Sequence, residues 1–409
     1  MKVLVVGGGG REHAIVWKLQ QSEHVQQIFV APGNAGTARN VNPKDIVSFA
    51  QENAIDLVVV GPEAPLVDGL VDRLMAVGIK TFGPSQAAAQ LEGSKAFAKS
   101  FMYENGVPTA EYGKFDTVEA AFNFIDRAAF DVVVKADGLA AGKGVIVCDD
   151  KSQAKDAVLA ILQDKQFGAA GSSVIIEERL TGKEASILAF CDGQHVVLMP
   201  PSRDHKRALD NDEGLNTGGM GAFAPVPDIS AHDLSKYKHT IFEPIINAMA
   251  AQGTPYKGVL YAGLILTPQG VKVLEFNCRF GDPETQVILP LLESDLVEIM
   301  LACVDGTLDK VDIRWKDGAC ATVVIASPGY PGSYPKGLLI SGLNAVTDDA
   351  IVFHAGTSRS QSGEVLTAGG RVLSVSATGD TLEQALNTAY EGVQQIHFDG
   401  MHYRRDIGK

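Results

Sequence analysis

The opening part of the chain alternates short apolar runs with amphipathic segments. Between the first two runs, apolar residues such as Ile15 and Leu19 recur at helical spacing. Strands that alternate with helices in this way build a parallel sheet. The predicted strands are residues 2–6, 27–31, 57–60 and 80–82.

Turns rich in glycine and proline follow each of these strands. The carboxyl ends of parallel strands meet at one edge, and open α/β sheets bind their ligands there. We therefore expect this edge to bind a substrate. The turns are residues 7–10, 32–36, 61–65 and 83–84.

The middle of the chain changes character after a helical stretch that begins at residue 94 and breaks at Gly106 and Pro108. Short turns join the strands that follow, which predicts an antiparallel sheet. Residues 203–225 are polar and lack periodicity, and so long a loop in a compact domain is usually functional. The predicted elements are strands 131–135, 144–148, 173–180, 259–266 and 271–276 and the helices 153–163 and 294–303.

Beyond about residue 315 the pattern becomes short strands with one helix, residues 382–396, which predicts a small mixed domain. The fold class is therefore a multidomain combination of α/β and α+β parts that starts with a Rossmann-like parallel sheet. The predicted division is residues 1–93, 94–310 and 315–409.

Composition and charge exclude several classes of function. The formal net charge of -14 opposes a nucleic-acid partner, because phosphate backbones require a basic face. No run of 18 or more uncharged apolar residues occurs, so no membrane-spanning helix and no membrane partner are predicted. The five cysteines are scattered without a CxxC pair, which favours reduced thiols in a cytoplasmic protein over disulfides or a zinc site.

One predicted strand carries a candidate metal site. Its period of two places Glu275 and Asn277 on one face, with Leu274 and Phe276 on the other. Carboxylate and amide oxygens suit a magnesium ion that nucleotide phosphates also bind. An exposed polar face of an edge strand is the alternative.

The run RFGDPE at residues 279–284 lies directly beyond this strand. Gly281 and Pro283 predict a rigid turn that holds an arginine and two carboxylates together. Arg279 is suited to bind a carboxylate or an acyl phosphate with two hydrogen bonds. The alternative is an arginine–aspartate clamp that has only a structural role.

Two glycine-rich loops are candidates for phosphate binding. Lys135 ends a strand and is followed by a glycine-rich loop. This loop is not a P-loop, because Gly138 lies one residue too close to the Gly142–Lys143 pair and Gly144 replaces the required Ser or Thr. A plain hairpin turn is the alternative. At the N-terminus, Glu12 occupies the third glycine position of a dinucleotide fingerprint, so a turn that holds a phosphate monoester is favoured over a nicotinamide site.

A set of residues in a fixed order along the chain resembles the ATP-grasp superfamily. The set is Lys95, Lys135 with its glycine loop, the strand end at residues 177–180, Glu184, and Glu275 with Asn277. Further motifs resemble the phosphoribosylamine–glycine ligase family of purine synthesis, also called glycinamide ribonucleotide synthetases. These motifs are GGGGREH at 7–13, NTGGMG at 216–221, RFGDPE at 279–284, GRVL at 370–373 and YRRDIG at 403–408.

The resemblance implies a nucleotide site in a central ATP-grasp part with a mobile lid at about residues 110–185. It implies that Mg²⁺ or Mn²⁺ is bound by Glu275 and Asn277. The implied catalytic residues are Arg279, Lys135 and Lys143. The residues implied to bind ATP are Lys95, Lys135, Gly142, Lys143, Gly144, Glu177, Glu178, Leu180 and Glu184.

The implied reaction joins glycine to 5-phosphoribosylamine, with ATP cleaved to ADP and phosphate through glycyl phosphate. The strand before the metal site, residues 262–266, lacks the carboxylate that many ATP-grasp enzymes have there. A monomer is favoured. The residues implied to bind substrate are Gly9, Gly10, Arg11, Glu12, Asn216, Thr217, Gly218, Gly219, Asp282 and Glu284.

Three other functions compete with this one. Another ATP-grasp carboxylate–amine ligase is disfavoured by the NTGGMG and RFGDPE runs. A non-catalytic nucleotide-binding regulator is disfavoured because the two ATP-grasp lysines, Lys95 and Lys135, are retained together with Glu275 and Asn277. A nicotinamide oxidoreductase is disfavoured by Glu12 in the broken fingerprint.

Overall fold

The computed structural model describes residues 1–138 and 144–409. Its first sheet is parallel with strand order β2-β1-β3-β4, which confirms the Rossmann-like prediction. The elements of this part are β1 (Lys2–Gly7), α1 (Gly10–Leu19), β2 (Gln27–Pro32), α2 (Ile46–Glu52), β3 (Leu57–Val60), α3 (Glu63–Val67), α4 (Leu70–Ala76) and β4 (Lys80–Phe82).

The next part forms a four-stranded antiparallel sheet, as the short turns predict, with order β5-β8-β6-β7. We call this sheet with the helices at 118–127 and 151–158 the lid; it has a hydrophobic core of its own that includes Ile125, Val134 and Ile176. The elements of this part of the chain are α5 (Gln90–Gly93), α6 (Lys95–Glu104), β5 (Tyr112–Phe115), α7 (Val118–Arg127), β6 (Val132–Ala136), β7 (Val145–Val147), α8 (Lys151–Val158) with a π-helical turn (Leu159–Gln163), and β8 (Val174–Glu178). The helices α5 and α6, which precede the lid in the chain, are not part of it.

A second antiparallel sheet, with order β10-β9-β15-β16, supports the rest of the central part. Alternate residues of β9 lie in two different hydrophobic clusters, so this sheet is buried on both faces. The elements are β9 (Lys183–Asp192), β10 (Val196–Leu198), β11 (Arg203–Asp204), β12 (Arg207–Leu209), β13 (Glu213–Asn216), β14 (Gly221–Ala224), α9 (Ala231–Tyr237), α10 (Glu243–Ala251), β15 (Lys257–Thr267), β16 (Gly270–Asn277), α11 (Thr285–Ile288) and α12 (Leu296–Asp305).

The last part of the chain completes a five-stranded sheet with order β11-β14-β17-β21-β18. Two of these strands, β11 and β14, lie in the stretch 203–225 that the sequence predicts to be an aperiodic loop, and that prediction was wrong. β14 forms by pairing with a strand about a hundred residues away in the chain, and β11 pairs with β14, so local periodicity does not reveal either strand. The elements are β17 (Ala319–Ala326), β18 (Ala350–His354), β19 (Thr357–Arg359), β20 (Val365–Thr367), β21 (Arg371–Gly379) and α13 (Leu382–Gln395).

A bulge in β16 corrects the predicted alternation of its side chains. The register with β15 shifts between Gly263 and Leu264, so the bulged strand carries one extra residue there. Val273 and Phe276 consequently lie in the same hydrophobic cluster. Leu274, predicted to share a face with Phe276, is only partly buried.

No helix in the described ranges, 1–138 and 144–409, combines the length and apolar character needed to cross a lipid bilayer. The longest, α13, has 14 residues and packs on β17 and β21. About 20 apolar residues are required for a helical span. The prediction that the chain has no membrane-spanning helix is therefore confirmed for these ranges.

We expect Gly221→Ala to destabilise the fold. A Cβ atom at this position would lie 2.6 Å from the Thr322 carbonyl oxygen, so β14 would separate from β17. Overpacking of this kind lowers the free energy of unfolding by about 1–3 kcal/mol, which chemical denaturation measures. Leu215→Ala is the control, because that side chain is 68% exposed, and equal stability of both variants would contradict the role of this strand pair.

Candidate active site

A cleft of about 670 Å³ lies where the parallel sheet, the lid, β16 and the C-terminal sheet meet. Each of these parts supplies polar side chains to its wall, so residues distant in sequence face one another. The predicted site residues that line the cleft are Arg11, Lys95, Lys135, Gly144, Glu177, Asn216, Thr217, Gly218, Glu275, Asn277, Arg279, Asp282 and Glu284.

Two lysines pair with one buried carboxylate on the lid side of the cleft, and a third lysine lines the cleft beside them. Lys135 on β6 and Lys99 on α6 approach the same Glu177 oxygen, Oε2, at 3.0 and 2.9 Å. Lys95 donates to the Gly138 carbonyl oxygen at 3.1 Å. Burial lowers the pKa of Lys95, and it lowers the pKa of Lys99 to about 8 even though Glu177 opposes the shift.

Helix α6 holds two of these lysines at its cleft end. Ser94 begins the helix, with its hydroxyl accepting from the Phe97 amide, and donates to Asp137 Oδ1 on the lid. The same Asp137 oxygen accepts from the Ala96 amide at 2.8 Å. This capping network sets the position of Lys95 relative to the loop that follows β6.

Glu275 and Asn277 point into the cleft opposite the lysines. Burial would raise the pKa of Glu275, but the cations of Lys206, Lys135 and Lys95 outweigh it and hold the pKa below its usual value. Among the described residues, no donor hydrogen-bonds the Glu275 carboxylate. An ionised carboxylate beside an amide oxygen fits a hard divalent cation such as Mg²⁺.

Arg279 is held at the end of β16 by two carboxylates. Its guanidinium lies 2.9 Å from Glu92 and 3.5 Å from Glu63, and it also donates to Asn277 Oδ1 at 3.1 Å. Glu92 in turn accepts from the Cys278 amide at 2.6 Å. The arginine is thus fixed next to the candidate metal residues, with one face towards the cleft.

The opposite end of the cleft joins the NTGGMG and RFGDPE segments. Arg371 of β21 lies 3.2 Å from Asp282 Oδ2 and donates to the carbonyl oxygens of Gly218 and Asp282 at 2.6 and 2.8 Å. Glu284 is 3% exposed and accepts from Tyr261 and Ser186. A guanidinium that bridges two backbone segments gives this end a defined shape.

Several predicted residues do not line this cleft. Glu178 pairs with Lys272 at 3.0 Å, and Glu184 pairs at 2.6 Å with Lys206, which does line it. Glu12 turns back to accept from the Gly9 amide. Gly142 and Lys143 lie outside the described residues. The predicted site residues that the structure describes outside the cleft lining are Gly9, Gly10, Glu12, Glu178, Leu180, Glu184 and Gly219.

The structure adds cleft residues that were not among the predicted site residues. Lys99 follows Lys95 by one helical turn, a spacing that the sequence alone could have revealed. Asp204 and Lys206 lie in the stretch 203–225, which was expected to be functional, and burial raises the pKa of Asp204 to about 7. The further additions that carry charge or a hydroxyl are Glu63, Glu92, Tyr261, Tyr330, Tyr334 and Arg371.

Family models for phosphoribosylglycinamide synthetase match nearly the whole chain. The N domain model matches residues 1–92, the ATP-grasp (A) domain model residues 93–285 and the C domain model residues 320–409. At the level of fold, the biotin carboxylase domain of the Hydrogenobacter thermophilus 2-oxoglutarate carboxylase is similar, with a TM-score of 0.76 and 18% identity over 98% of this chain and 91% of that one.

Individual relatives agree with these models. The chain is 53% identical to the trifunctional purine biosynthetic protein adenosine-3 of Gallus gallus, over 100% of this chain but 42% of that protein. It is 51% identical to the phosphoribosylamine–glycine ligase of Rhodopirellula baltica, over 99% and 96% of the two chains. The Thermotoga maritima phosphoribosylamine–glycine ligase crystal structure has a TM-score of 0.89 at 35% identity, with both chains fully covered. The resemblance read from the motifs is confirmed, and the chain belongs to the phosphoribosylglycinamide synthetase family, the phosphoribosylamine–glycine ligases.

Proposed function

We propose that this chain is an ATP-dependent ligase that joins glycine to 5-phosphoribosylamine in purine synthesis. One observation carries the proposal: in a chain of this family, Lys95, Lys135 and Arg279 converge on one cleft with Glu275 and Asn277. Phosphoryl transfer needs positioning and charge neutralisation more than a protein nucleophile. A cleft lined by cations and hard oxygen ligands meets that requirement.

The first step we propose forms glycyl phosphate. A carboxylate oxygen of glycine attacks the γ-phosphorus of ATP, the bond from that phosphorus to the bridging oxygen breaks, and ADP leaves. Lys95 and Lys135 are placed to neutralise phosphate charge, and Arg279 to hold the glycine carboxylate or the transferred phosphoryl group. Glu92 and Glu63 support this role because they lie 2.9 and 3.5 Å from the guanidinium and hold it in position.

The second step forms the amide. The amine of 5-phosphoribosylamine attacks the acyl carbon, the bond from that carbon to the phosphate oxygen breaks, and phosphate leaves while the amine loses a proton. We propose that the substrate lies between the NTGGMG and RFGDPE segments, with Asn216, Thr217, Gly218, Asp282 and Glu284 around it. Arg371 bridges these two segments and supports this assignment.

Glu275 and Asn277 would hold Mg²⁺, with Mn²⁺ as a possible substitute. The depressed pKa of Glu275 keeps it ionised, as a metal ligand must be. Bound there, a divalent cation supplies charge stabilisation to the phosphates of the nucleotide. The amide oxygen of Asn277, which accepts only from Arg279 among the described residues, is accessible from the cleft.

Further proposals concern the organisation of the chain. We propose domain boundaries near residues 93 and 315, a lid at about 110–185 that closes over ATP, and a working form that is a monomer. The separate hydrophobic core of the lid supports its movement as a unit. All five cysteines are buried and free, which supports a reducing compartment such as the cytoplasm.

We expect ADP formation to require glycine and to speed up when 5-phosphoribosylamine is added. The reason is that the γ-phosphoryl group is transferred to the glycine carboxylate before the amine attacks. A coupled assay for ADP, with each substrate omitted in turn, measures this dependence. If ADP forms at the same rate when glycine and 5-phosphoribosylamine are both omitted as when both are present, the ligase function is excluded.

We expect Glu275→Gln to raise the Mg²⁺ concentration needed for half-maximal activity. Loss of a residue that merely orients a metal ligand costs about 10- to 100-fold in affinity, so loss of a charged ligand should cost at least that. A titration of activity with Mg²⁺ at saturating ATP measures the change. Glu298→Gln, a change at an exposed carboxylate far from the cleft, is the control, and an equal response in both variants would exclude this site.

We expect Arg371→Met to raise the KM for 5-phosphoribosylamine roughly tenfold and to leave the KM for ATP within about twofold. A charge-assisted hydrogen bond contributes about 1.5–3 kcal/mol, and each 1.4 kcal/mol is a factor of ten. Arg405→Met, at an exposed arginine, is the control. An equal rise in both KM values would place Arg371 outside the amine subsite.

A further inference from the structure

Lys99 is a buried lysine that none of the sequence motifs includes. Its side chain is 3% exposed, and its ammonium group has two partners, Glu177 Oε2 at 2.9 Å and Thr109 Oγ1 at 2.7 Å. A lysine is almost never buried to this extent unless it is paired. It lies one helical turn from Lys95 on α6 and lines the cleft beside Lys95 and Lys135.

The contacts of Lys99 connect the lid to the strand that carries the candidate metal residues. Thr109 donates to the Val273 carbonyl oxygen at 2.7 Å, and the Val273 amide donates to the Pro108 carbonyl oxygen at 2.8 Å. Val273 lies on β16, two residues before Glu275. Its other partner, Glu177, belongs to β8 of the lid, so Lys99 lies where the lid meets the segment bonded to β16.

Glu177 is the shared partner in this cluster. It is 2% exposed, and its Oε2 atom lies within 3.0 Å of both Lys99 and Lys135. Its other oxygen, Oε1, is buried and has no hydrogen-bond partner among the described residues. The carboxylate therefore depends on the two lysines for charge compensation, and removing both would leave a buried charge unpaired.

We propose that Lys99 is a positioning residue that neutralises Glu177 so that Lys135 is free to bind the phosphates of ATP. This inference rests on the proposed function only in that Lys135 contacts the nucleotide. As observed, Lys135 is paired with Glu177. With Lys99 present, Lys135 turns to the phosphates while Glu177 keeps one cation. Without Lys99, the same movement leaves the buried Glu177 carboxylate without a cation, and this lowers the affinity for the nucleotide.

The test is a cycle of two substitutions, Lys99→Met and Glu177→Gln. Calorimetric titration with magnesium and a non-hydrolysable ATP analogue measures the affinity of each folded variant. We expect K99M to bind the analogue at least about tenfold more weakly than the wild type. In the E177Q background the carboxylate is gone, so adding K99M should change the affinity by less than about threefold.

Lys18→Met is the matched control, because Lys18 is also buried, at 7% exposure, but bonds the Leu292 carbonyl oxygen away from the cleft. It should lower the melting temperature and leave the affinity for the analogue unchanged. An unchanged affinity in folded K99M, or an equal loss in both backgrounds, would overturn the role of Lys99.

The two proposals fail in different ways. Because the titration needs no turnover, glycine-independent ATP hydrolysis would overturn the ligase function and leave the Lys99 result intact. If K99M weakens binding of the analogue as much in the E177Q background as in the wild type, the role of Lys99 is overturned and the ligase function is left intact. A wild-type protein that does not bind the analogue would overturn both.

Discussion

Compensation of buried charge is the constraint on which this cleft depends. Glu177, Lys99 and Lys135 are all shielded from water, and a charge in that environment is tolerated only when an opposite charge and hydrogen bonds satisfy it. Arg279 with Glu92 and Glu63 repeats the arrangement at the end of β16. The Arg279 guanidinium is therefore held in place before any ligand arrives, which is the preorganisation that charge stabilisation in a reaction requires.

The same networks hold separate parts of the chain together. Asp137 of the lid caps helix α6, and Thr109 links Lys99 to β16, the strand with the candidate metal residues. The C-terminal sheet takes in β11 and β14 from the central part, and Arg371 on that sheet reaches Gly218 and Asp282. The cleft consequently forms only when all of the parts are folded, since each wall comes from a different one.

Local sequence was sufficient for much of the fold. The four strands of the parallel sheet, α1 and α13 were predictable because their apolar residues recur at strand or helical spacing and each strand is followed by turn residues. The stretch 203–225 was not, because β14 forms by pairing with β17, about a hundred residues away, and β11 forms by pairing with β14. The bulge in β16 was likewise invisible, since it arises from the register with β15 and moved Leu274 out of its predicted face.

For the candidate site, local motifs were enough to identify the family and to mark Glu275, Asn277 and Arg279 as candidate residues. Which charges share a partner could be seen only in the folded chain. Lys99 meets Glu177 across 78 positions of chain, and Arg371 meets Gly218 across 153. The reason is physical: a motif records residues that are neighbours along the backbone, whereas charge pairing depends on distance in space and on exclusion of water.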